Sequence, residues 1–238
     1  MIASVAIAVF PADSVRSERI PGPHSPLALG ASILRSFEFE GRGLATVSQW
    51  NRVLGQVSRQ SEAFARCAAD ETQCTSQGMR YWLQILAFAA DLDRKEQLQA
   101  INGFFNRWPY RSDREIYSIG EYWATPSEFL ARSGDCEDYV IAKFFALREL
   151  GFSNDQLRIV IVYDRRRNIG HAVLAVYLDD DILILNNQTN TIAPPSRYEN
   201  FVPRYLVNET TFWTAAPNTL DALVSRIVPP GPVTGSRV

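Results

Sequence analysis

The feature that most limits the fold is a change of hydrophobic period at Gly151. Before it, "SGDCEDYVIAKFFALRELGF" places Val140, Ile141, Phe144, Phe145 and Leu147 at helical spacing. After it come "LRIVIVYD", "HAVLAVYL" and "DILILNN", three β-rich runs with turns between them. The spacing predicts a helix buried on one side and stopped at Gly151, followed by an antiparallel meander. Upstream, from Trp50 to about Asn106, the patterns are helical. Val53, Leu54, Val57, Phe64 and Ala65 line one run, and Leu98, Ile101, Phe104 and Phe105 another. Asp93 with Glu96, and Thr125 with Pro126 and Glu128, read as helix starts, because each side chain satisfies backbone N–H groups that the first turn leaves free. The class is α+β, helices first and an antiparallel meander after.

The chain has 238 residues, 46% of them hydrophobic, enough for a sizeable core. One domain is expected over 31–225, helical over 31–106 and built from the cysteine helix and sheet over 107–225. Residues 1–30 are rich in Pro, Ser and Gly and read as extended, and 226–238 as a disordered tail. The opening "MIASVAIAVFPADS" has the apolar length of a signal-peptide core without its positive start. It reads as a truncated or mis-started signal peptide or as a plain N-terminal strand. The net charge of −2 gives no electrostatic footprint for nucleic acid, and "DRRRN" is short enough for a solvated turn. No run reaches the ~18 apolar residues of a membrane span.

Cys67 and Cys74 lie seven apart (74 − 67). In one unbroken helix their Cα atoms would stand about 10 Å apart, beyond the disulfide limit of about 7 Å. The polar centre Asp70-Glu71-Thr72 can break the helix and allow closure. The pair reads as a disulfide, which fits an oxidising compartment and leaves Cys136 as the free thiol, or as two unrelated thiols.

Cys136 sits at a helix start among Asp135, Glu137 and Asp138. A reactive thiol wants positive surroundings, because the thiolate is the nucleophile. Either the cysteine is ordinary core, or something cancels those charges. His171 begins the second β run. If the "LDDDI" turn has a two- or four-residue loop, paired residue numbers sum to 359, and His171 shares a face with Val173, Ala175, Tyr177, Ile182, Ile184 and Asn186. A three-residue loop would present Asn187 instead. Cysteine at a helix start, with histidine and an amide on adjacent strands, makes a nucleophile, a base and an orienting group. The helix N-terminus would lower the thiol pKa and supply oxyanion donors. The competing reading is a buried Cys, a capped His and a turn Asn.

"EYWATPSEFLARSGDCEDYVIAKFFALRELGF" followed by "GHAVLAVYLDDDILILNNQT" resembles the bacterial transglutaminase-like cysteine proteinases, over about Trp50 to Phe212. The resemblance implies a papain/transglutaminase-like fold, with Cys136 as nucleophile and His171 as general base. The family's third position is typically aspartate in a pattern like "LDN", and here Leu185-Asn186-Asn187 stands in its place. An amide can hold the histidine tautomer but stabilises imidazolium less. The resemblance also implies calcium beside the cysteine. Asp135, Glu137 and Asp138 fan away from Cys136 by about 100° per residue, with Asp113 in the preceding loop, and can offer oxygens to a hard cation. It implies a periplasmic endopeptidase cutting exported or surface proteins such as large adhesins, held by an inner-membrane regulatory receptor. Transglutaminase-like acyl transfer or amide hydrolysis, and a binding module with a weakened triad, are the alternatives.

Overall fold

The computed structural model describes residues 33–41, 47–178 and 181–217. The signal-like start, His24, the hairpin residues Asp179 and Asp180 and the tail over 226–238 lie outside the described residues.

Helix α1 (Ser48–Ala69) is anchored by Trp50, which is fully buried and whose indole N–H donates to Asn208 O at 2.8 Å. Helices α2 (Gln77–Ala89) and α3 (Arg94–Phe105) follow. Asp93 Oδ1 accepts from Glu96 N, and Glu96 Oε2 from Asp93 N, so α3 starts with a reciprocal cap. A short α4 (Asp113–Tyr117) leads to α5 (Pro126–Arg132), where Thr125 and Glu128 cap each other in the same way. The cysteine helix α6 (Cys136–Glu149) comes next, and Gly151, at φ 84°, ends its run in a conformation glycine adopts without strain.

The sheet has seven antiparallel strands: β1 (Ser36–Gly41), β2 (Leu157–Asp164), β3 (Ile169–Leu178), β4 (Asp181–Asn186), β5 (Thr189–Ala193), β6 (Phe201–Val207) and β7 (Phe212–Pro217). Their spatial order is β1-β7-β6-β2-β3-β4-β5. The β3–β4 register runs from Leu174↔Leu185 to Leu178↔Asp181, the sum of 359 expected from the hairpin. Alternation along the strands sorts two faces. Leu157, Ile159, Ala172, Leu174, Val176 and Leu185 join the core around α6. Val160, Val162, Val173, Ala175 and Ile184 form a second layer with Ile33, Leu34 and Phe201.

One expectation changes. Helix α6 is buried from Asp138 through Leu147 without interruption, rather than on one side. It packs on β3 and β2 across one face and on α3, α5 and α2 across the other. Its polar positions fit because Asp138 and Lys143 find internal partners. A helix so enclosed has little freedom to shift, which fixes its first residue, Cys136.

Helix α1 stops at Ala69, and Asp70 caps a 3-10 turn (Glu71–Gln73) by accepting from Thr72 N at 2.9 Å. The turn brings Cys67 and Cys74 to a Cα separation of 4.4 Å, and a disulfide joins them. Thiol titration of the denatured, unreduced chain should give one free thiol, Cys136, and three after reduction. Cys67→Ala with Cys74→Ala should cost about 2–3 kcal/mol in denaturant unfolding, as closing so short a loop implies.

Candidate active site

Cys136 is the first residue of α6, half-buried, with its thiol donating to Glu137 Oε2 at 3.0 Å. The backbone N–H of Ala172, the residue after His171, favours the thiolate form of this sulfur, so the helix start and the β3 strand come together here. His171 and Asn186 lie just past the last β3–β4 pair, Leu174↔Leu185. An irregularity in the β4–β5 pairing falls between Ile184 and Asn186, where a bulge re-aims a side chain. The two side chains meet at 3.0 Å, His171 Nε2 to Asn186 Oδ1, and both are buried.

The tautomer follows from the neighbours. Gln188 N–H donates to the same Asn186 atom at 3.1 Å, so that atom is the amide oxygen. His171 Nε2 must therefore carry the proton and donate. Nδ1 is left with its lone pair, the nitrogen that can take a proton from a thiol. Phe201 packs edge-on against the imidazole at 5.6 Å. Burial is the main force pushing the His171 pKa down. The Asn186 bond and Asp164 push it up, and Arg167 and Lys143 add to the lowering. The imidazole is thus neutral, in its base form, near pH 7.

The acidic residues separate into two sets. Asp113, Asp135 and Asp138 bring one oxygen each within 4.8 Å of one another. Asp138 is fully buried, accepting from Ala124 N at 2.6 Å and from Asp135 N at 3.2 Å. Asp113 Oδ2 accepts from Tyr122 N, and Asp135 Oδ2 from Asp113 N at 3.4 Å. Their other oxygens, Asp113 Oδ1 and Asp135 Oδ1, are buried without a hydrogen-bond partner. Among the described residues no ion pair involves any of the three. Glu137 falls with Cys136 and Asp135 instead, and stays against the thiol rather than turning away from it.

Burial and mutual repulsion raise the whole group. Asp113 is pushed up to about 6, and Asp135 to about 8. Asp138 is held well above the usual carboxylate value, chiefly by burial. The Cys136 thiol is likewise raised, by burial first and then by Glu137 and Asp135. As it stands, the chain favours a neutral thiol and a neutral imidazole.

Sequence reading did not find the donors from the loop before α5, Tyr122 N and Ala124 N, because backbone groups leave no residue signature. Nor did it find Lys143, although a lysine inside "VIAKFFAL" is a visible oddity.

The model for bacterial transglutaminase-like cysteine proteinases matches residues 55–219. A calcium-bound structure of Legionella pneumophila LapG is 27% identical, covers 69% of this chain and 99% of its own, and superposes with a TM-score of 0.56. A second structure of that protein is 28% identical over 70% of this chain and 96% of its own, also at 0.56. An EGTA-treated form gives 27%, 70% and 96%, and 0.55. No protein of curated function matches.

The acidic cluster makes a stability prediction. Asp113 and Asp135 rise from 3.8 to about 6 and about 8, so between about pH 4 and pH 8 the folded chain holds more protons than the unfolded one. Stability is then highest at the low end of that window and falls as pH rises through it. Thermal unfolding in chelator should show this fall. Asp135→Asn keeps a good cap and should stabilise the chelated protein at pH 8 by on the order of 1–2 kcal/mol, since the group is only part-buried.

Proposed function

The chain belongs to the bacterial transglutaminase-like cysteine proteinases and is a cysteine peptidase; on that premise we propose that it is a calcium-dependent endopeptidase acting through Cys136, His171 and Asn186. The observation that carries this reading is the His171 Nε2–Asn186 Oδ1 bond, with the amide oxygen fixed by Gln188 N–H. It leaves Nδ1 as the base on the residue next to Ala172, whose backbone N–H favours the Cys136 thiolate.

In the proposed sequence His171 Nδ1 takes the thiol proton and Cys136 Sγ attacks a peptide carbonyl. The imidazolium returns the proton to the leaving amine as the C–N bond breaks and a thioester forms. His171 then takes a proton from water, which attacks the thioester and frees Cys136. Asn186 holds the ring so that Nδ1 stays available. The N–H groups at the start of α6 would receive the oxyanion.

The residues present fit calcium. Hard cations are bound through oxygen, and Asp113, Asp135 and Asp138 offer three converging carboxylates, two with an unpartnered buried oxygen. Bound there, calcium would supply the positive charge that offsets these acids beside the thiol. The LapG structures, one calcium-bound and one EGTA-treated, support extending calcium dependence to this chain.

The Cys67–Cys74 disulfide fits an oxidising compartment, and we place the enzyme in the periplasm. No helix of the described residues is long and apolar enough to cross a membrane. The substrate class is an exported or surface protein, adhesin-like and cut in a linker of small residues, with an inner-membrane receptor as regulator.

Two measurements test this. Incubation with an adhesin-type linker should give two shorter chains, and none with Cys136→Ala; a new crosslink in the presence of an amine, without cleavage, would make the enzyme an acyltransferase instead. Calcium at about 100 times its Kd should raise Tm by about 5–10 °C over chelator, and Asp113→Asn should remove most of that rise. An unchanged Tm would rule out the site.

A further inference from the structure

Lys143 is fully buried in the middle of α6, seven residues (143 − 136) or about two turns below Cys136. A buried ammonium is costly unless it is well hydrogen-bonded. Here its hydrogen bonds go to two amide oxygens, Asn102 Oδ1 at 2.7 Å and Asn106 Oδ1 at 2.6 Å. The Tyr139 ring centroid lies 5.9 Å away.

Burial pushes the Lys143 pKa well below its usual value, but amine and ammonium alike can donate both bonds, and both asparagines turn their oxygens toward it. Their NH2 groups then have to point the other way, and both point into the β4–β5 turn. Asn106 Nδ2 donates to Asn186 O at 3.0 Å, to Thr189 O at 3.0 Å and to Asn190 Oδ1 at 2.9 Å. Asn102 Nδ2 donates to Thr189 O at 3.1 Å. The same turn supplies Gln188 N–H, which sets the Asn186 side chain. One amino group thus fixes two amides, and those amides hold the backbone that presents Asn186 to His171.

We propose that Lys143 is a positioning residue for the histidine, acting through Asn106 and Asn102 to hold Asn186 in register with His171 Nε2. The proposal rests on the reading of His171 and Asn186 as the catalytic base and its orienting amide. A side chain without donors at 143 would let either asparagine flip, pointing a carbonyl at the carbonyls of Asn186 and Thr189. The turn would then move, and Asn186 with it.

The test is a double-mutant cycle with a spectroscopic companion. Lys143→Met keeps the length and removes the donors. Asn106→Ala removes the clamp from a part-exposed helix end and serves where Lys143→Met does not fold. Either should lower kcat by about tenfold or more with KM little changed. In an Asn186→Ala background the same substitution should add almost nothing, because the path to His171 is already cut. A substitution that lowers only Tm, or whose loss in kcat is fully additive with Asn186→Ala, overturns the proposal. Nitrogen-15 NMR of the imidazole reads the same device without any substrate. The Nε2–H tautomer should dominate in the parent chain and give way to a mixture in either variant; an unchanged tautomer also overturns it. Absence of cleavage by the parent chain would instead contradict the peptidase reading, and the NMR result would still decide the role of Lys143.

Discussion

Three carboxylates, two buried and one part-buried, converge near the start of one helix with no basic partner among the described residues. That arrangement is the constraint around which the site is built. Asp138 is satisfied by two backbone N–H groups, but Asp113 and Asp135 each keep a buried oxygen without a partner. Such oxygens cost free energy unless they are protonated or meet a cation. The next residue along the chain is Cys136, whose thiol is raised by burial first, then by Glu137 and, of these three acids, by Asp135. The charge that would settle the carboxylates is therefore the same charge that would ready the nucleophile. In the proposed enzyme, calcium binding and thiol activation are one electrostatic event.

The rest of the fold serves to hold this point still. Helix α6 is enclosed by the sheet on one face and by three helices on the other. Its first residue meets the β3 backbone at Ala172. The histidine gains its orientation from the neighbouring strand, through an amide whose own direction is set by a backbone N–H. Beneath it, Lys143 and two asparagines tie the helix layer to the turn that carries Asn186. Cysteine, histidine and amide thus come from three elements locked by the core rather than from loops.

Much of this was legible in the sequence because it is local. The change of period at Gly151, the reciprocal caps at Asp93 and Thr125 and the β3–β4 register each depend on residues a few positions apart. The all-round burial of α6 was not legible, because Asp138 and Lys143 look like solvent-facing residues until their distant partners are known. Strands β1, β6 and β7 were missed for a similar reason, and β5 because Thr189-Asn190-Thr191 carries no apolar pattern. The β1–β7 pairing joins residues about as far apart as the described chain allows, and Pro203 interrupts the pattern of β6. The acidic residues were seen, but their division was not. Spacing around a helix places Glu137 with the other acids, whereas the folded chain leaves it against the thiol and recruits Asp113 from before α5.

The most direct test of the central claim is the alkylation rate of Cys136 by iodoacetamide at pH 7, in calcium and in chelator, for the parent chain and for Asp113→Asn. The account predicts faster alkylation of the parent chain in calcium and no calcium effect in the variant. Equal rates for the parent chain in calcium and in chelator would contradict it.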